Sequence, residues 1–250
     1  MVRDCFGTPF EFRERPRRVV SLVPSLTETL FAIGAGADVV AITDWCIFPE
    51  ELTLPRVGGT KNPSVETIRA LAPDLVHMNL EENLERHARA IREFAPVFVT
   101  EPKRVADVID LFQTLGEIHD QRDRAEDLAA ELRREIEAPA KREFTFACPI
   151  WKNSWMWCGG DTYVSDLLTT AGGRNVLMDF TRYPSIALDE VLALRPDVVF
   201  LPDEPYVFTE ADTADLRARG ANVIGPFPGH LFTWHGVRTI EGLRWLRDAL

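Results

Sequence analysis

Short apolar runs rich in β-branched residues alternate along the chain with stretches whose apolar positions recur every three or four residues. That alternation predicts an α/β protein built on parallel sheets flanked by helices. The short runs place strands at residues 19–23, 39–43, 75–79 and 97–100 in the first half, and at 144–150, 175–177, 198–201 and 222–224 in the second. Between the halves the helical pattern is at its most regular. Val105, Val108, Ile109, Phe112 and Leu115 form one apolar stripe ending near Gly116. A second stripe, Ala125, Leu128, Ala129, Leu132 and Ile136, follows Asp120 as a candidate N-cap and is closed by Pro139. A helix of about 18 residues spans about 27 Å, long enough to cross from one lobe to another. The expected organisation is an N-terminal lobe over 1–118, a bridging helix over 119–140 and a C-terminal lobe over 141–250.

The halves echo one another. Residues 65–76 (VETIRALAPDLV) read against 188–199 (LDEVLALRPDVV), each an amphipathic helical turn, a Pro-Asp break and a buried strand. Residues 30–36 (LFAIGAG) and 167–173 (LLTTAGG) both read as helices ending in glycine C-caps. Together these echoes predict two similar lobes with a ligand cleft between them.

Composition narrows the function. A net charge of −11 argues against nucleic-acid binding, which needs clustered Lys and Arg, and against purely electrostatic membrane attachment. No apolar run is long enough to span a bilayer. The opening segment lacks the apolar stretch of a signal peptide, and Val2-Arg3-Asp4 before Cys5 is unlike a lipoprotein cleavage box. Two expectations follow: a periplasmic or extracytoplasmic protein whose leader was trimmed, or a cytoplasmic one. Cys5, Cys46, Cys148 and Cys158 make no CxxC pair, so buried thiols are expected, or one disulfide if the protein is exported.

The segment 18–28 (RVVSLVPSLTE) reads as a strand entering a helix through a Ser25/Glu28 capping box. With 56–63 (RVGGTKNP), Glu66, 71–74 (LAPD), the central helix and 233–236 (TWHG), it resembles the class III, helical-backbone periplasmic binding proteins of ABC importers. The resemblance covers nearly the whole chain and is nearest to the cobalamin-binding branch. It implies a rigid bridging helix that limits closure, a corrinoid, haem or ferric siderophore as cargo, and no intrinsic cofactor. It also implies a membrane permease partner docked through one acidic residue of each lobe. The matching acids are Glu66 and Asp189, each seven residues before the proline of its repeat; Glu190 neighbours the shorter Asp189. A monomer is expected.

Trp151, Trp155 and Trp157 crowd one segment, and in an extended chain Trp155 and Trp157 share a side. Followed by a flexible Gly159-Gly160 turn, they suit a flat ligand, while core packing is the ordinary alternative for any one of them. By family position Trp45, Trp157 and Tyr183 are the aromatics lining the cleft, with Trp234 joining them. Thr60 stands where cobalamin binders can carry Trp. Lys61, Lys152 and Arg182 are the candidate cations for an anionic siderophore. The five histidines show no HxH or HxxxH spacing, so no protein-only metal site is expected; His230 and His235, flanking Trp234, are candidate axial ligands to a bound metal complex. P-loop, GxGxxG and GxSxG patterns are missing, which argues against an enzyme. The alternative function is a cytoplasmic cofactor- or metal-binding protein of the same fold.

Overall fold

A computed structural model describes residues 1–12 and 14–250. The chain divides into two compact units, one of residues 1–102 with 108–131, the other of 103–107 with 132–250.

The first unit opens with a short antiparallel pair, β1 (Val2–Arg3) and β2 (Pro9–Phe10). The main run follows as β3 (Val19–Ser21), α1 (Pro24–Ala32), β4 (Val39–Ile42), α2 (Val65–Ala70), β5 (Leu75–Asn79), α3 (Glu85–Arg92), β6 (Val97–Thr100), α4 (Asp107–Ile118) and α5 (Arg122–Glu137). Its four-stranded sheet has the order β4-β3-β5-β6, all parallel. Successive strand residues serve opposite faces, as the pleat requires. Val19 packs with Leu26, Leu30, Leu111, Leu115 and Ala125, whereas Val20 packs with Ile68, Val76, Ala88 and Ile91. Each fully buried Leu or Ile removed from water contributes about 1.5–3 kcal/mol. α5 carries its sequence across the division, which falls between Glu131 and Leu132.

The second unit repeats the plan. It comprises β7 (Phe144–Ala147), a hairpin of β8 (Pro149–Trp151) and β9 (Met156–Trp157), then α6 (Tyr163–Thr170), β10 (Gly173–Asn175), α7 (Leu188–Ala193), β11 (Val198–Pro202), α8 (Glu210–Ala218), β12 (Val223–Phe227), α9 (His230–Thr233) and α10 (Val237–Ala249). Its parallel sheet is ordered β10-β7-β11-β12. In both units the second strand lies outside the first and the third on its other side. The strand order therefore reverses between β3 and β5, and between β7 and β11. In open α/β sheets, the crevice beyond the carboxyl ends at such a reversal is where ligands bind.

The repeat is physical as well as textual. Ala72 (φ +46°) and Arg195 (φ +53°) hold left-handed backbone at matching positions, stopping α2 and α7. The acid of each Pro-Asp break then ties the start of a neighbouring strand. Asp74 accepts from the backbone N–H of Arg17 (2.8 Å) and Arg18 (3.0 Å), and Asp197 from that of Thr145 (2.7 Å). The glycine caps also hold. α1 ends with Gly34 at φ +89°, its N–H bonded to Phe31 C=O and the Ala35 N–H to Leu30 C=O; α6 ends with Gly172 at φ +98°, bonded to Thr169 C=O.

Four expectations change. Ser25 and Glu28 form no capping box: α1 begins at Pro24 with Val23 as N-cap, and the anchor is Thr27, whose hydroxyl bonds Val23 C=O (3.0 Å) and Ser21 Oγ (2.8 Å). Asp120 is no N-cap, because at φ +55° it occupies the left-handed turn between α4 and α5. The strand expected at 144–150 breaks at Cys148 into β7 and β8. The strand expected at 175–177 lies at Gly173–Asn175, because the Asn175 side chain accepts from Leu177 N–H and donates to Cys158 C=O, turning the chain. No helix among the described residues is long and apolar enough to cross a membrane.

Candidate functional site

Most of the large apolar side chains left in solvent lie on loops that follow the carboxyl ends of the parallel strands; Met1, Phe6 and Leu194, which ends α7, lie elsewhere. After β4 come Trp45 and Ile47, and after β5 comes Leu80; Trp45 is 64 % exposed. After β7 the hairpin presents Trp151, after β10 come Met178 and Phe180, and after β11 comes Val207.

The first unit's loops are held from within. Arg56 donates to the C=O groups of Thr43 and Cys46, both at 2.7 Å, shaping the turn that carries Trp45. A Cβ on Gly59 would lie 2.5 Å from Asn62 Oδ1 and 3.2 Å from Trp45 Nε1, so a larger residue there would displace the Asn62 side chain and crowd the indole. Buried Asn83 ties three loops together. It donates to Leu22 C=O after β3 (3.1 Å) and Thr60 C=O after β4 (2.9 Å), and accepts from Asn79 N–H at the end of β5 (2.9 Å). Thr60 is buried. Lys61 donates to Glu81 C=O. Burial raises the Glu82 carboxyl pKa, against the pull of nearby Lys61.

The second unit carries an aromatic stack at its strand reversal. Trp155 lies parallel to Trp157 (centroids 5.4 Å apart, 18°) and to Phe208 (6.1 Å, 21°). Trp151 meets Tyr206 edge-on at 5.2 Å, and Tyr206 meets Phe208 at 4.8 Å. The stack therefore joins the hairpin after β7 to the loop after β11. Lys152 pairs with buried Asp212, which also caps α8 through Thr209, and so fastens the hairpin to that helix.

These placements sort the expected residues. Trp155 and Trp157 do share a side, but Trp157 is fully buried and its indole N–H is spent on Ile186 C=O (2.9 Å). It is the floor beneath Trp155 and lines no open surface. Gly159-Gly160 is not a flexible turn. Their N–H groups bond Arg182 and Phe180 C=O at 2.8 Å, and a Cβ on Gly160 would sit 2.1 Å from Met178 C=O, so the glycines permit close backbone packing. Tyr183 is half-buried, with the Arg182 guanidinium 5.5 Å from its ring centre. Trp234 is buried, bonded through its N–H to Glu204 (3.1 Å) and packed on His230 (5.7 Å). Lys61 and Lys152 are engaged as described.

Glu66 and Asp189 occupy equivalent exposed positions in the first turns of α2 and α7. Asp189 pairs with Arg219 at 3.2 Å in solvent, while Glu190 returns to the Ala187 N–H as a cap. His235 is buried against Tyr163, and burial pushes its pKa down to about 4. His77 and His119, far apart in sequence, meet Nε2 to Nε2 at 2.9 Å inside the first unit. Among the described residues no group of three or more His, Cys, Asp or Glu is arranged to hold a metal ion. The residues missed from sequence are Ile47, Asn83, Met178, Phe180, Tyr206 and Phe208. The signal for most of them was position, a polar or apolar side chain just past a parallel strand's carboxyl end.

Known proteins share this architecture. The chain is 22 % identical to an uncharacterised ABC transporter substrate-binding lipoprotein of Bacillus subtilis, over all of this chain and 84 % of that protein. It is 25 % identical to the vitamin B12-binding protein of Vibrio parahaemolyticus, over 80 % of this chain and 78 % of the relative. The fold superposes on the periplasmic haem-binding protein of Roseiflexus sp. RS-1 with a TM-score of 0.78 at 24 % identity, covering 93 % and 97 % of the two chains. The periplasmic binding protein family model matches residues 19–215, and the chain belongs to that family.

Proposed function

We propose that this protein is the substrate-binding component of an ABC importer and captures a planar or chelated-metal ligand, a corrinoid, haem or ferric siderophore. The observation that carries the reading is the aromatic stack of Trp155, Trp157 and Phe208 at the strand reversal of the second sheet, with Trp151 and Tyr206 beside it. Exposed Trp151 and half-buried Trp155 offer a rigid, apolar contact at little entropic cost, with buried Trp157 and Phe208 as their support. Trp45, exposed on the loop after β4, supplies a further ring. Tyr183 is a contact by family position, and buried Thr60 shapes the same loop system as Trp45.

Membership in a family of binding proteins, and relatives named for ABC transport and vitamin B12 binding, favour capture and delivery over catalysis or a cytoplasmic role. Glu66 and Asp189 present the carboxylates that a permease with basic docking residues would read, one on each sheet-and-helix unit. Titrating tryptophan fluorescence with cobalamin, cobinamide, haem and a panel of ferric siderophores tests the proposal. Saturable one-to-one quenching, weakened at least about tenfold by Trp155→Ala, is the expected result. Lack of response to all four classes sinks it.

A further inference from the structure

Cys148 and Cys158 are neighbours across the hairpin that carries the tryptophans. Pro149 pairs with Trp157 in the antiparallel register, which sets Cys148 opposite Cys158, and the Cys158 N–H donates to Cys148 C=O at 2.9 Å. Directly opposed residues of such a pair have Cα atoms about 4.5–5.5 Å apart. A disulfide needs Cα atoms roughly 4.4–6.8 Å apart, a range that this pairing meets. Both residues are fully buried free thiols in this structure. The Cys148 thiol has one long contact, with Pro149 C=O at 3.9 Å. The neighbouring Cys158 side chain, then burial, holds the Cys148 pKa well above its ordinary value. The other two cysteines are differently placed. Cys46 sits between the hydroxyls of Thr27 and Thr43 at 3.1 Å each, and Cys5 is exposed.

We propose that Cys148 and Cys158 form an intramolecular disulfide when the chain folds in an oxidising compartment, bracing the hairpin beneath the Trp155–Trp157 stack. The oxidant is a small-molecule or protein disulfide. The thiolate of one cysteine attacks it and displaces one thiol; the second cysteine then attacks the mixed disulfide and displaces the other. One Sγ–Sγ bond forms, the oxidant's S–S bond breaks, and two electrons and two protons pass to the oxidant as two thiols. In the folded protein both thiols are buried away from any oxidant, so the exchange belongs to the stage before the hairpin closes. The inference is independent of the cargo.

The test is to refold the full-length Cys5→Ser protein, which lacks the exposed thiol, with and without a mixture of oxidised and reduced glutathione. Intact mass, denatured thiol count and peptide mapping are then recorded. Expected is a loss of about 2 Da on oxidative refolding. The thiol count should fall from three to one, with a peptide joining residues 148 and 158. Cys158→Ser in the same background should abolish the mass loss. Three thiols after oxidative refolding, a bridge to Cys46, or an unchanged mass loss in the Cys158→Ser protein would each overturn the proposal.

Discussion

Two tryptophans two positions apart do different work. Trp157 has no exposure and a committed N–H, so Trp157→Ala opens a core cavity and leaves Ile186 C=O unpartnered. The expected cost is about 3–5 kcal/mol, read as a lower urea midpoint. Trp155→Ala, at a half-buried site, should lower the midpoint less than Trp157→Ala does while removing most of the fluorescence response to ligand. Histidines set a pH dependence. Burial lowers the pKa of His119 and of His235 to about 4, and that of His77 well below its usual value. The unfolded chain therefore binds protons that the folded chain refuses. Stability is full above the unfolded value of about 6.5 and falls as pH drops toward 4, by about 1.4 kcal/mol per pH unit for each group. Denaturation midpoints at pH 7.5 and 5.0 check this, and His119→Gln should flatten the slope.

At the scale of the element, helix ends rather than helix interiors carry the repeated design. α1 closes on Gly34 at φ +89°, where a Cβ would also lie 2.9 Å from Arg124 Nη1. Gly34→Ala should lower stability by more than about 1 kcal/mol. Gly220 is a control, since it shares the left-handed backbone (φ +87°) but has nothing within 4 Å of its absent side chain. Gly220→Ala should therefore cost less, and equal midpoints for the two variants would rule out the Arg124 contact as a contributor. The Ser25/Glu28 spacing does not mark the start of α1, for a physical reason. A Ser-x-x-Glu spacing is only a cap when the serine precedes the first turn, and Pro24 begins that turn one residue earlier.

For the whole molecule, both units run strand, helix, strand in the same order, with the second strand outside the first. Each therefore offers one strand reversal, and each carries one exposed acid at the matching helix start, Glu66 and Asp189. Charge reversal at both, Glu66→Arg with Asp189→Arg, should leave ligand affinity unchanged and abolish uptake in vesicles containing the cognate permease. Uptake equal to the parent's would count against a docking role. Asp189 already pairs with Arg219, but an exposed pair of this kind is worth only about 0–1 kcal/mol and yields readily to a better partner.

The chain by itself determined the alternation of strands and helices, the repeat joining residues 65–76 to 188–199, and the glycine stops of α1 and α6. These depend on local periodicity and backbone conformation, which a short stretch of residues specifies. It did not reveal that Trp157 is fully buried and Trp155 only half-buried, or that His77 meets His119. It also hid the ties that Asn83 makes among three loops, and the facing of Cys148 and Cys158 across the hairpin. Those outcomes depend on which distant segments share a sheet edge or a core, and side-chain burial is settled only when strands such as β7 and β11 become neighbours. A tryptophan's neighbours in sequence give its face along the strand; its depth is set by Phe208 and Ile186, some thirty to fifty residues away.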